Sequence, residues 1–90
     1  MNNKLTSVAI VEDNPDLRDE LQFQLNSDSL NVVAMGDGKA LNTHLIHHPC
    51  DIVILDIGLP GEDGLSIADR LRQSHPHIGI IILTANSELD

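Results

Sequence analysis

Val8-Ala9-Ile10-Val11-Glu12-Asp13-Asn14-Pro15 holds a strand, an acidic pair and a helix start in eight consecutive residues. Four apolar positions in a row, three of them β-branched, fit a strand covered on both faces; a strand with one wet face would alternate. Pro15 suits a first helical turn, where no N–H is needed, and Asn14 or Asp13 is the kind of side chain that caps orphan amides. Beyond it Leu17, Leu21 and Leu25 recur at i, i+4 and i+8, which predicts a helix.

The same alternation continues down the chain. Apolar runs at Leu30–Met35, Ile52–Leu55 and Ile78–Leu83 read as three more buried strands. A second helix is predicted from about Gly38 to His47, with Leu41 and Leu45 inward and Pro49 stopping it. A third begins near Gly64, places Leu65, Ala68 and Leu71 on one stripe, and ends before Pro76. Gly58, Pro60 and Gly61 mark a turn, as does Gly36-Asp37-Gly38. Alternating strands and helices of this length imply a doubly wound parallel α/β sheet with right-handed crossovers. Covering both faces requires the winding to reverse once, and the reversal opens a crevice at the carboxyl ends of the strands. A flavodoxin-like order, 2-1-3-4, puts that crevice between the first and third strands.

Composition narrows the classes. Ninety residues allow one domain, and apolar content of 41% is that of a globular chain. Phe23 is the only aromatic residue, so the core must be aliphatic. A formal charge of −9 repels phosphate backbones and anionic lipid, which argues against direct nucleic-acid binding or membrane binding by this segment. Met1 to Ser7 lacks the look of a signal peptide, and no apolar stretch approaches ~20 residues. With the lone Cys50 fitting a reducing compartment, a cytoplasmic location is expected.

The strand ends carry the chemistry. Glu12 and Asp13 follow the first strand, Asp56 follows the third, and Thr84 and Ala85 follow the fourth. Three carboxylates converging from two strands repel one another, and a hard cation such as Mg²⁺ relieves the conflict. A carboxylate beside such a cation can act as a nucleophile toward phosphorus and form an acyl phosphate. The Thr84 hydroxyl, one strand over, could donate to a phosphoryl oxygen, and Ala85 leaves room for the group.

Val11-Glu12-Asp13-Asn14, then Ile54-Leu55-Asp56-Ile57-Gly58-Leu59-Pro60 with Gly61 and Gly64, then Leu83-Thr84-Ala85, resembles the receiver domain of bacterial two-component response regulators. Asp13 precedes Asp56 by 43 residues and Thr84 follows it by 28, separations similar to the family's. The resemblance implies that Asp56 is the phosphoacceptor, served by a sensor histidine kinase. It implies Mg²⁺ bound directly by Asp13, Asp56 and the Gly58 backbone carbonyl, with Glu12 acting through water. Thr84 and Ala85 would form the switch. Glu12 stands where many members have Asp. The family's domain also continues through a helix, a fifth strand ending in Lys, and a final helix. Residues 1–90 are therefore expected to be an incomplete receiver domain, β1-α1-β2-α2-β3-α3-β4, with the fifth strand, last helices and effector domain absent.

Three function classes compete. A phosphorylation switch, feeding transcription through an effector domain, accounts for all the strand-end residues. A Mg²⁺-dependent phosphatase with an aspartyl nucleophile would need a second acid two residues on, where Gly58 stands, so an enzyme is not expected. A receiver-like interaction module would leave the carboxylates unused. Ile80–Leu83 would form an unprotected apolar edge, so self-association through the fourth strand is expected. His44, His47 and His48 have a spacing that can hold a transition metal, but a solvated helix end is the simpler reading, and His75 and His77 are read in the same way. Cys50 reads as a small packed residue.

Overall fold

The apolar runs do become adjacent parallel strands. A computed structural model describes residues 5–59 and 61–83. Its elements are β1 (Thr6–Val11), α1 (Pro15–Leu25), β2 (Leu30–Met35), α2 (Gly38–His47), β3 (Ile52–Asp56), α3 (Gly64–Ser74) and β4 (Gly79–Leu83). The sheet order is β2-β1-β3-β4 and every pairing is parallel. This is the doubly wound, flavodoxin-like order expected from the alternation of elements.

Each helix starts on a side-chain cap. Asn14 Oδ1 accepts from the Leu17 N–H at 3.0 Å, with Pro15 in the first turn of α1. Asp37 caps α2 through the Ala40 N–H at 2.8 Å, and Asp63 caps α3 through the Ser66 N–H at 2.9 Å. Such caps satisfy amides that the helix itself leaves without partners.

Side-chain alternation splits the sheet between two cores. Ala9, Val11, Val53 and Leu55 face α2 and α3, packing with Leu41, Ile67, Ala68 and Leu71. Val8, Ile10 and Val32 face the other way, against Leu21 and Leu25 of α1. The cores are aliphatic, and Phe23 is 83% exposed. Cys50 is buried, as its packed reading required.

Two details differ from the sequence periodicity. Leu65 is exposed, and the inward stripe of α3 is Gly64, Ile67, Ala68 and Leu71. The phase is set by Gly64: a Cβ there would come within 2.5 Å of the Asp56 carbonyl oxygen, so this residue must face the sheet and Leu65 must turn away. α1 buries none of its residues fully, and Leu17 stays exposed. That helix packs on β2 and β1, so Leu21 and Leu25 find partners and Leu17 does not. Among the described residues no helix is long and apolar enough to cross a membrane.

The corrected stripe predicts opposite outcomes at neighbouring positions. Ile67→Ala should cost about 2–5 kcal/mol, as large-to-small changes in a closed core do. Leu65→Ala should stay within about 0.5 kcal/mol, as expected of a surface position. Chemical denaturation followed by circular dichroism checks both, and equal losses would show the stripe to be misplaced.

Candidate functional site

Strand register assembles the site. Val11 pairs with Leu55, so the next residue out on each strand, Glu12 and Asp56, emerges beside the other at the carboxyl edge. Alternation sends both side chains to the same face. Asp13 follows on the loop into α1. One carboxylate oxygen from each of Glu12, Asp13 and Asp56 can be chosen so that all three lie within 4.8 Å of one another. The crevice predicted between the first and third strands is therefore where the acids meet.

Local structure holds each acid in place. The Glu12 N–H donates to the Met35 carbonyl at 2.9 Å, extending the β1–β2 ladder by one step. The Glu12 carbonyl accepts from Arg18 at 3.1 Å, and its carboxylate accepts from the Asn14 N–H at 3.0 Å. Asp56 Oδ1 accepts from the Gly58 N–H at 3.2 Å, and the Ile57 N–H donates to the Leu83 carbonyl at 3.1 Å. Gly64 presses on the Asp56 and Ile57 backbone from the other side.

Glu12 and Asp56 are buried, at 3% and 7% exposure, whereas Asp13 is exposed. The two ion pairs among the described residues, Glu62–Arg70 and Asp69–Arg72, do not involve these acids. Burial pushes the Glu12 carboxyl above its ordinary value, the Asn14 amide partly offsets this, and the negative charge of Asp56 raises it further. Buried carboxylates in mutual repulsion need an opposite charge. An all-oxygen donor set of this kind fits Mg²⁺, which favours carboxylates, carbonyls and water.

A family model for the response regulator receiver domain matches residues 8–90. The chain belongs to this family. The virulence transcriptional regulatory protein PhoP of Salmonella typhimurium is 42% identical over 78 residues, which is 87% of this chain and 35% of that protein. The chain thus spans about a third of that relative's length. The response regulator TrrA of Thermotoga maritima, solved with Mg²⁺ and BeF, superimposes with a TM-score of 0.84 at 30% identity, over 92% of this chain and 72% of that one. TrrA solved in complex with the histidine kinase ThkA gives 0.83 at 30% identity, over 93% and 72%.

Within this receiver domain the structure brings together Glu12, Asp13 and Asp56, the acids singled out from sequence, while Gly58 meets Asp56 through its N–H and not through the carbonyl expected to serve the metal. Thr84 and Ala85 lie outside the described residues. Three supporting contacts were not foreseen. Asn14, one of two candidate caps and part of the acidic motif, both caps α1 and fixes the Glu12 carboxylate through its N–H. Arg18 anchors the Glu12 backbone across one turn of α1, a contact with no signature in spacing. Gly64 starts α3 as its position in the sequence predicts, and its close approach to Asp56 is visible only in three dimensions.

The Glu12 shift has a measurable consequence in metal-free buffer. A carboxyl whose folded-state value is raised contributes stability that is fully present below its ordinary 4.5 and is lost as pH rises through the raised value. Glu12→Gln keeps an acceptor for the Asn14 amide and removes the charge. It should therefore be more stable than wild type at neutral pH, with the gap closing toward acid. Melting curves from acid to neutral pH in a chelator check this; a constant gap, or a less stable variant, would show that Glu12 is not the strained acid.

Proposed function

We propose that this chain is the phosphoacceptor switch of a two-component system, in which Asp56 receives a phosphoryl group from a sensor histidine kinase. The observation that carries the reading is the convergence of Glu12, Asp13 and Asp56 at the end of β1 and β3, in a chain of the receiver family. A carboxylate oxygen of Asp56 attacks phosphorus, the phosphorus–nitrogen bond of the donor phosphohistidine breaks, and the imidazole departs with its electron pair. Asp13, Asp56 and the Gly58 carbonyl would hold Mg²⁺ directly, and Glu12 would hold it through water. When bound, it supplies positive charge against the transferring group. A Cβ at Gly58 would meet nothing within 4 Å, so a backbone role there does not require glycine. Thr84 donates its hydroxyl to a phosphoryl oxygen, and Ala85 leaves space for it.

We infer that residues 1–90 act in the cytoplasm as the receiver part of a longer signalling protein, with output to transcription through an effector domain outside this chain. The similarity to PhoP, named as a transcriptional regulator, supports that output. Phosphorylation biases a two-state equilibrium of the receiver surface, and the chain serves as a switch rather than as an enzyme with turnover.

Incubation with a small phosphodonor and Mg²⁺ should label wild-type protein and leave Asp56→Asn unlabelled. Label retained by Asp56→Asn and mapped to Ser, Thr or His would end the proposal. In Mg²⁺ titrations of the same protein, Asp13→Ala should weaken binding more than Glu12→Ala does. Equal losses would exchange the assigned direct and water-mediated roles.

A second reading concerns self-association. Among the described residues β4 pairs only with β3, and Ile81 on it is 47% exposed. Unprotected apolar edges recruit further strands. Ile81→Lys should lower the sedimentation coefficient of the chain at micromolar concentration. A monomer in both proteins would dismiss this edge as an interface.

A further inference from the structure

The turn that carries the acids is held by a side chain that phosphoryl transfer does not use. Arg18, in α1, reaches back toward the end of β1, and its Nη1 donates to the Glu12 carbonyl at 3.1 Å. Among the described residues no backbone amide closes on that carbonyl. The Glu12 N–H, in contrast, is already taken by the Met35 carbonyl at the end of β2. Glu12 is thus pinned on one side by the sheet and on the other by α1. The guanidinium also lies over Gly36, the residue after β2, where a Cβ would stand 2.9 Å from Nη1 and 3.9 Å from Cζ. Arg18 therefore occupies space that any side chain at position 36 would claim.

The pinned oxygen belongs to the peptide that leads into Asp13. A peptide unit is planar, so fixing the Glu12 carbonyl also fixes the direction in which the chain enters Asp13. That matters because Asp13 is exposed, and packing does little to place its carboxylate. Arg18 does not act by neutralising the cluster. It belongs to neither of the two ion pairs among the described residues, and the Glu12 carboxyl stays above its ordinary value. Its contribution is directional.

We propose that Arg18, seated over Gly36, is a positioning residue for the carboxylate site. Through the Glu12–Asp13 peptide it sets how tightly the three acids hold a divalent cation, a role that rests on the phosphoacceptor reading. Groups that orient metal ligands change affinity by about 10–100-fold when removed, and a contact made to backbone belongs at the lower end.

Two variants disturb the contact in different ways. Arg18→Met keeps the apolar stem and removes the donor. Gly36→Ala keeps the charge and displaces the guanidinium, and it strains no backbone, since Gly36 does not have a positive φ. Mg²⁺ titration by calorimetry should show a loss of about tenfold for each, and the double variant should lose little more than either alone. In chelator, amide hydrogen exchange at Asn14, whose N–H is held by the Glu12 carboxylate, should quicken in both. Labelling of Asp56 by a small phosphodonor should fall at limiting Mg²⁺ and recover at saturating Mg²⁺. Leu25→Ala, at the far end of α1, lowers stability without touching the site and should leave Mg²⁺ affinity unchanged. An Arg18→Met affinity within about twofold of wild type, losses that add in full in the double variant, or an equal loss in Leu25→Ala would overturn the proposal. A wild type that binds no Mg²⁺ would overturn the phosphoacceptor reading with it, whereas Mg²⁺ binding and Asp56 labelling untouched by Arg18→Met would overturn the positioning role alone.

Discussion

The pairing of Val11 with Leu55 is the contact on which the molecule's chemistry depends. It sets β1 against β3 in a register that brings Glu12 and Asp56 out side by side, on one face and at one height. A slip of one residue would turn one of the two acids to the opposite face, and the cluster with Asp13 would be lost. The two cores defend that register. Val11 and Leu55 are fully buried against α2 and α3, and Ile10 is fully buried under α1. Stability and function are thus coupled through the same strand pair, with folding free energy holding negative charges closer than they would otherwise lie.

Much of this was legible in the chain. Consecutive β-branched residues announced strands wet on neither face, and their alternation with helical periods left few topologies open. The strand-end acids could then be placed at the reversal of winding without coordinates. The phase of α3 could not. Leu65, Ala68 and Leu71 make a plausible stripe on spacing alone, yet backbone contact at Gly64 rotates the helix so that Ile67 replaces Leu65 inside. Arg18 escaped notice for a similar reason, because its partner is a carbonyl and leaves no mark in the side-chain pattern.

Membership of the receiver family adds a frame for these parts. The buried, mutually repelling pair of Glu12 and Asp56 is costly to a metal-free fold. A cation bound between these carboxylates would offset that cost. Gly64 contributes from beneath, since the helix it begins rests on the peptide that carries Asp56. Displacement of that peptide would be felt directly along α3, and the Ile57–Leu83 hydrogen bond would carry it into β4. The site is therefore joined to the periphery by backbone as well as by side chains.

The aliphatic interior has a practical corollary. With neither Trp nor Tyr in the chain and Phe23 outside the core, the protein is nearly silent to near-ultraviolet absorbance and intrinsic fluorescence. Unfolding and switching will leave little optical trace. The same composition makes the interior rich in methyl groups, divided between the two faces of one sheet. Ile10 under α1 and Ile67 within α3 sit in separate cores. Selective isoleucine methyl labelling would let magnetic resonance watch each layer on its own, without the aromatic ring currents that crowd such spectra elsewhere.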